Sequence, residues 1–165
     1  PAAPPIPGAE NAILFDTALK QPDQVRGRVV VIGGGEAGTE TGLQAAHDGH
    51  DVLVLEMKDI LDPECAPIHF RRAYREQVWE KTPNFRWELN ATVERIEPGA
   101  VYYRQAGELK CAEADTVILA TGTRPLSNEA FSYGPTNVFK PIGDCAKIGN
   151  LGNALRSAYY AANNI

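Results

Sequence analysis

Three continuous apolar runs stand out along the chain, each bounded by polar residues or glycine. They are "RVVVIG" at 28–33, "DVLVLE" at 51–56 and "DTVILATG" at 115–122. Runs rich in β-branched residues, without regular polar positions, are typical of parallel strands that are buried on both faces. The three runs therefore predict neighbouring strands in the interior of a sheet.

Helical periodicity fills much of the chain between these runs. The segment "EAGTETGLQAAHDGH" places small and apolar side chains on one face and ends near Gly49, a residue suited to a helix C-cap. The segment "PIHFRRAYREQVWEK" places Phe70 and Tyr74 on one face, opposite Arg and Glu. A short helix is predicted in "NAILFDTALK" and a closing helix in "NLGNALRSAYYAANNI".

Residues 85–114 have a different pattern, with nearly alternating apolar and polar positions that are interrupted at Pro98–Gly99 and at Gly107. This pattern predicts a small antiparallel β-meander. A short strand is predicted in "VFKPIGD" at 138–144, and the Pro-rich residues 1–8 predict an extended linker. Together the elements predict an α/β, Rossmann-like fold: a parallel sheet with helices on both faces and the antiparallel β-meander as a crossover.

Composition removes several classes of function. A net charge of −5 argues against a general nucleic-acid binder, and no apolar run is long enough to span a bilayer. The three cysteines are far apart and form no C-x-x-C pair, so neither a zinc site nor a redox dithiol is expected. Reduced thiols in a cytoplasmic protein are the expectation. The Pro-rich start without Met suggests a piece of a longer polypeptide.

The strongest chemical signal is G-x-G-x-x-G, formed by Gly33, Gly35 and Gly38 between a predicted strand and a predicted helix. Gly33 permits the tight turn, Gly35 lets a diphosphate approach the backbone, and Gly38 lets the helix pack against the strand. The amide groups and the helix dipole then receive the anion. This arrangement predicts a dinucleotide site that includes Ala37 in the first helical turn.

Glu56 ends the second strand, where a carboxylate accepts hydrogen bonds from the ribose hydroxyls of the adenosine half. It would repel a 2′-phosphate, so NAD(H) is predicted in preference to NADP(H). Met57 and Lys58 follow it and are candidate contacts, although a single ammonium beside a carboxylate is a poor 2′-phosphate site. Glu40 lies one turn into the helix as a further candidate.

Glu36, at the helix start, is a candidate contact of a different kind. A carboxylate in this position is favourable with the helix dipole but unfavourable beside a bound diphosphate. Its side chain is therefore expected to point to solvent.

Three motifs in this order resemble one family. "VVVIGGGEAGTE", "ATGTRP" and "PIGDCAKIGNLGNALRSAYYAAN" are similar to the reductase half of NADH:flavin oxidoreductases of the old yellow enzyme type, related to 2,4-dienoyl-CoA reductase and trimethylamine dehydrogenase. The resemblance extends to two-dinucleotide, pyridine nucleotide-disulphide oxidoreductase-like domains and covers nearly the whole chain. In that family a nicotinamide-binding domain is inserted into an FAD-binding domain.

The resemblance implies an assignment for each part of the chain. Residues 1–26 would be a linker and short helix, 27–124 the NAD(H)-binding domain, and 125–165 the remnant of an FAD-binding domain. Asp144 would contact the flavin side of the site, and the crossover beside the nicotinamide would be formed by Ala120, Thr121 and Gly122. The family's own FAD fingerprint and its N-terminal barrel are missing here, so the FAD site would be incomplete and the partners would be those domains of the parent chain.

These observations predict an NADH-binding domain that positions nicotinamide for hydride transfer to a flavin. No side chain is predicted to be catalytic or to bind a metal, so this stretch of chain should bind NADH without turnover. Two alternatives remain open: a non-catalytic module that senses NAD or ADP, and an FAD-binding domain that uses the same glycine loop.

Overall fold

The structure is a computed structural model and describes residues 1–63, 68–130, 132 and 139–164. The chain divides into two compact units, unit 1 (Pro1–Gly122) and unit 2 (Thr123–Ile165). In unit 1 the described strands are β1 (Ile13–Leu14), β2 (Arg28–Ile32), β3 (Asp51–Leu55), β4 (Phe85–Glu88), β5 (Thr92–Glu97), β6 (Ala100–Gln105), β7 (Glu108–Glu113) and β8 (Thr116–Leu119). Its described α-helices are α1 (Phe15–Lys20), α2 (Glu36–His47) and α3 (Ile68–Gln77). Unit 2 contains α4 (Ser127–Ala130) and α5 (Leu151–Ala162).

Five strands of unit 1 form a parallel sheet in the order β1-β8-β2-β3-β4. Strand β2 is central, with Val30 paired to Leu53 of β3 on one side and to Val117 of β8 on the other. The three predicted buried strands are therefore adjacent, as the apolar runs indicate. A separate antiparallel sheet has the order β5-β6-β7. The predicted Rossmann-like α/β fold with a meander is confirmed.

The sequence assigned residues 85–88 to the meander, and this was wrong. Strand β4 pairs in parallel with β3, with Val52 opposite Phe85, and is the edge of the main sheet. An edge strand and a meander strand can have the same alternation of apolar and polar residues, so the pattern could not separate them. Similarly, Ile13 and Leu14, predicted as part of a helix, form the two-residue strand β1 at the opposite edge.

The two faces of the main sheet are covered by different layers. Side chains of Val29 and Val31 pack in one core cluster with residues of α1 and α2, while Val30 and Ile32 pack in another with residues of the meander. The prediction of helices on both faces is therefore corrected: the helices of unit 1 whose packing is described lie on one face. The reason is that the meander supplies enough apolar side chains, among them Ile96 and Val101, to bury the other face.

The N-terminal residues pack closely against unit 1. Ile6 and Ala9 lie against the meander-side core, and the Ile96 amide donates to the Pro7 carbonyl over 2.8 Å. A Cβ on Gly8 would lie 1.8 Å from the Ile96 carbonyl oxygen, which shows how closely the segment approaches β5. The segment predicted as an extended linker thus contributes to the core of unit 1.

The C-terminal part of unit 2 is a helix packed on a tight turn. Helix α5 is capped by Asn150, whose side chain accepts a hydrogen bond from the Asn153 amide, and it contacts the 3₁₀ turn Gly143–Cys145. The strand predicted at 138–144 is not formed by its described residues 139–144. Pro141 cannot donate to a strand ladder, and Gly143 has a φ of +56° that ends any extended run. No helix in the described parts of the chain is long and apolar enough to cross a membrane.

Candidate dinucleotide-binding site

The glycine loop lies between the carboxyl end of β2 and the start of α2. Gly33 has a φ of +103°, and a Cβ added to it would lie 2.5 Å from the Ala120 carbonyl oxygen. A Cβ on Gly38 would lie 1.9 Å from the Gly33 carbonyl oxygen. Neither position has room for a side chain, because the turn, the helix and the strand β8 end meet there. The tight turn and close packing expected of these two glycines are both present.

Gly35 differs from the other two glycines. It is the N-cap residue of α2, with φ −76° and ψ −175°, and apart from its two chain neighbours no described residue has an atom within 4 Å of where its Cβ would be. As a glycine, it has no side chain that could accept a hydrogen bond from the amides of the first turn. The amides of the first helical turn have no acceptor within the helix, so the open space at Gly35 borders a set of backbone donors. That combination suits an anion that must approach the backbone closely.

Glu56 is buried, with 6% of its surface exposed, and its carboxylate is bound to the loop. Oε2 accepts a hydrogen bond from the Gly34 amide over 2.6 Å, and Oε1 accepts one from the Lys58 amide over 2.8 Å. Each carboxylate oxygen can accept a second hydrogen bond. The acid predicted from its position at the end of β3 therefore lies directly beside the loop, and it also holds the loop backbone in place.

The segment after Glu56 folds back over the loop. The Asp62 amide donates to the Gly34 carbonyl over 2.6 Å, and Leu61 Cδ1 would lie 2.5 Å from a Cβ on Gly34. Met57 is 67% exposed and Lys58 is also exposed, so both predicted contacts lie on the outer side of this segment. Sequence reasoning did not identify Leu61 or Asp62. Ile60 and Leu61 are two adjacent apolar residues in a polar stretch, and this pair was the available signal.

The other predicted residues of unit 1 lie at the rim of the loop. Ala120 is buried and its amide donates to the Ile32 carbonyl over 2.8 Å, which fixes the crossover beside the glycine turn. Thr121 and Gly122 follow it and are exposed; Thr121 Oγ1 donates to the Ala2 carbonyl, and the Gly122 carbonyl accepts from the Ala2 amide.

The candidate residues of the first helical turns differ in burial. Glu36 and Glu40 are exposed, as expected for Glu36, while Ala37 is half-buried. Asp144 belongs to unit 2, where it is exposed and its Oδ1 accepts from the Gly149 amide over 3.2 Å.

The strands that carry the loop are fixed at their opposite ends. Asp115 Oδ2 accepts from the Arg28 amide over 2.8 Å and from Arg28 Nε over 3.1 Å. This pairing with Arg28 holds the pKa of Asp115 below its usual value of 3.8. Thr116 Oγ1 exchanges hydrogen bonds with the Arg26 backbone. The starts of β2 and β8 are thereby aligned, and with them the turn and the crossover at the far end.

A cleft of about 570 Å³ lies elsewhere in unit 1. Its lining comes from α1, the following turn and the C-terminal half of α2, and includes Leu19, Thr41, Gln44 and His50. Residues of the glycine loop do not line this cleft. The candidate dinucleotide site is therefore the open surface around Gly35 and Glu56, separate from the cleft.

Comparison with known proteins gives a consistent family. Bilirubin reductase of Mediterraneibacter gnavus is 30% identical over 97% of this chain and 25% of its own length, and cinnamate reductase of Clostridium sporogenes is 28% identical over 97% and 24%. The solved structure of 2-naphthoyl-CoA reductase matches with a TM-score of 0.85 and 28% identity, over all of this chain and 25% of that one. The chain thus spans about a quarter of the length of these relatives. The model of the pyridine nucleotide-disulphide oxidoreductase family matches residues 1–138, and the chain belongs to that family of FAD- and NAD(P)-dependent oxidoreductases.

Proposed function

We propose that unit 1 binds NADH at the glycine loop and holds it for hydride transfer to a flavin, within an NADH:flavin oxidoreductase of the old yellow enzyme type. The observation that carries this proposal is the open space at Gly35: it borders the first turn of α2, and a methyl group on Gly35 would project into it. The open space and the backbone donors around it fit a diphosphate.

The binding roles follow from the positions of the residues. Gly33 and Gly38 set the shape of the turn, and Gly35 gives the diphosphate access to the first-turn amides. Glu56 uses its remaining acceptor capacity for the ribose hydroxyls, which favours NADH because a 2′-phosphate would meet a buried carboxylate.

The flavin side of the site is proposed to lie in other parts of the parent protein. Bound NADH would supply the hydride for a flavin, and the residues of this chain would bind and orient the nucleotide without acting as acid or base. Asp144 and α5 would belong to the remnant of the FAD-binding domain, whose first part, like the N-terminal barrel, is a missing partner of this chain. The chain alone is then expected to bind NADH without turnover.

The relatives support a reductase as the parent protein. The relatives that match at least 97% of this chain include proteins named as reductases of bilirubin, cinnamate and 2-naphthoyl-CoA. These names differ in substrate although the matched region is the same. A shared nucleotide-binding role for this region, with the substrate recognised elsewhere in the parent, accounts for both facts.

The test is a calorimetric titration of the chain with NADH and with fragments of it. If the loop holds the diphosphate and Glu56 the adenosine ribose, NADH binds with a Kd of about 1 μM to 1 mM, the usual range for enzyme substrates. ADP-ribose retains most of the affinity and competes with NADH. Nicotinamide mononucleotide, which lacks the adenosine half, does not compete measurably.

Three results would contradict the proposal. Absence of NADH binding would exclude both an NADH-binding reductase domain and an NAD-sensing module. Preferential binding of FAD, with a flavin absorption band in the purified chain, would instead support an FAD-binding domain. In the intact parent protein, the absence of flavin reduction by NADH despite tight NADH binding would favour a sensing module.

A further inference from the structure

Two carboxylates are buried in the described part of the chain, and both belong to residues that contact Gly34. Glu56 is 6% exposed and Asp62 is 4% exposed. Glu56 accepts a hydrogen bond from the Gly34 amide, and the Asp62 amide donates to the Gly34 carbonyl, each over 2.6 Å. The second residue of the glycine loop is thus held between two acidic residues.

The backbone of Asp62 is fixed independently of its charge. Its φ is +47°, a left-handed conformation that Asn and Asp adopt more readily than other non-glycine residues. The hydrogen bond to Gly34 and the packing of Leu61 hold it there. Asparagine would meet these requirements equally well. The conformation therefore explains a short polar side chain at position 62 without requiring its negative charge.

A buried charge acts strongly on an anion bound at the same loop. Burial removes most of the screening that water and salt give to exposed carboxylates such as Asp59. NADP(H) brings about two additional negative charges on its adenosine ribose, on the side where Glu56 lies. A second buried negative charge near Gly34 would raise the free energy of that complex more than that of the NADH complex.

We propose that Asp62 is a second residue that selects NADH over NADPH, acting through its buried negative charge alongside Glu56. This inference rests on the proposed NADH-binding function and assigns to the same site a further specificity determinant. Its role is electrostatic, and it requires no contact between Asp62 and the nucleotide.

The decisive variant is Asp62→Asn, because it keeps the size and the left-handed backbone and removes the charge. Asp59→Asn is the matched control: it removes an exposed carboxylate from the same segment. The ratio of the Kd for NADPH to the Kd for NADH is measured for each. In Asp62→Asn the ratio is expected to fall about tenfold, mainly through tighter NADPH binding, whereas in Asp59→Asn it stays within about twofold because that charge is screened. An unchanged ratio in Asp62→Asn, or equal changes in both affinities, would overturn the inference.

A second variant tests the inference with Asp62 in place. Glu56→Gln removes one of the two buried charges, so part of the preference for NADH should remain if Asp62 supplies the rest. Complete loss of preference in Glu56→Gln would leave Asp62 no role. Failure of the wild-type chain to bind NADH would refute the proposed function itself, while wild-type binding with an unchanged ratio in Asp62→Asn refutes the role of Asp62 alone.

Discussion

Replacing Gly35 by alanine should separate binding from stability. Apart from the two chain neighbours of Gly35, no described residue has an atom within 4 Å of the added methyl group, and the φ of −76° is allowed for alanine. Alanine is a poorer N-cap than glycine, but it also reduces the entropy of the unfolded chain by about 0.4–1 kcal/mol. These effects oppose each other, so the free energy of unfolding should change by about 0.5 kcal/mol or less.

Binding should change much more than stability in Gly35→Ala. The methyl group would project into the space where a diphosphate must lie to reach the helix amides. Loss of two charge-assisted hydrogen bonds, at about 1.5–3 kcal/mol each, corresponds to at least about 3 kcal/mol, or more than a hundredfold in Kd. NADH fluorescence titration measures this loss, and thermal unfolding by circular dichroism measures stability. Wild-type affinity in a normally folded Gly35→Ala would refute the assignment of the diphosphate to this loop.

Other changes should act differently. Gly33→Ala should destabilise the fold by about 2–4 kcal/mol in denaturant unfolding, since its Cβ would meet the Ala120 carbonyl and φ is +103°; unchanged stability would contradict the turn geometry. Glu56→Ala should weaken NADH binding at least tenfold in calorimetry, through loss of ribose and loop contacts, and wild-type affinity would rule out its role. Asp115→Asn should lower the melting temperature at pH 7. Because pairing with Arg28 lowers the folded pKa of Asp115, this stabilisation is present above about pH 3.8 and lost as the pH falls through the folded pKa, so the two melting temperatures should converge in acid.

The sequence predicted the structure correctly where a local pattern of residues is typical of a single kind of element. The three apolar runs predicted adjacent parallel strands because short runs rich in β-branched residues are typical of strands that are buried on both faces. Gly33 and Gly38 were predicted correctly as tight positions because a turn between strand and helix leaves no room for a side chain. Local spacing was enough in both cases.

Prediction failed where the outcome depends on partners distant in the chain. Phe85 and Trp87 alternate with charged residues, and only their pairing with β3 shows that they belong to the main sheet. The placement of the meander over one face of the sheet likewise depends on long-range packing. Asp62 could not be connected to Gly34 from sequence, because its burial results from the way the chain folds back after Glu56.

The contact of Ala120 with the glycine turn limits how this protein can vary. The Ala120 carbonyl lies where a side chain on Gly33 would be. The methyl group of Ala120 would lie 3.2 Å from a Cβ on Gly38. A larger residue at position 120 would push on α2, the helix whose first turn borders the candidate dinucleotide site. Natural variants and laboratory libraries should therefore tolerate change at these three positions only when the replacements compensate one another in size.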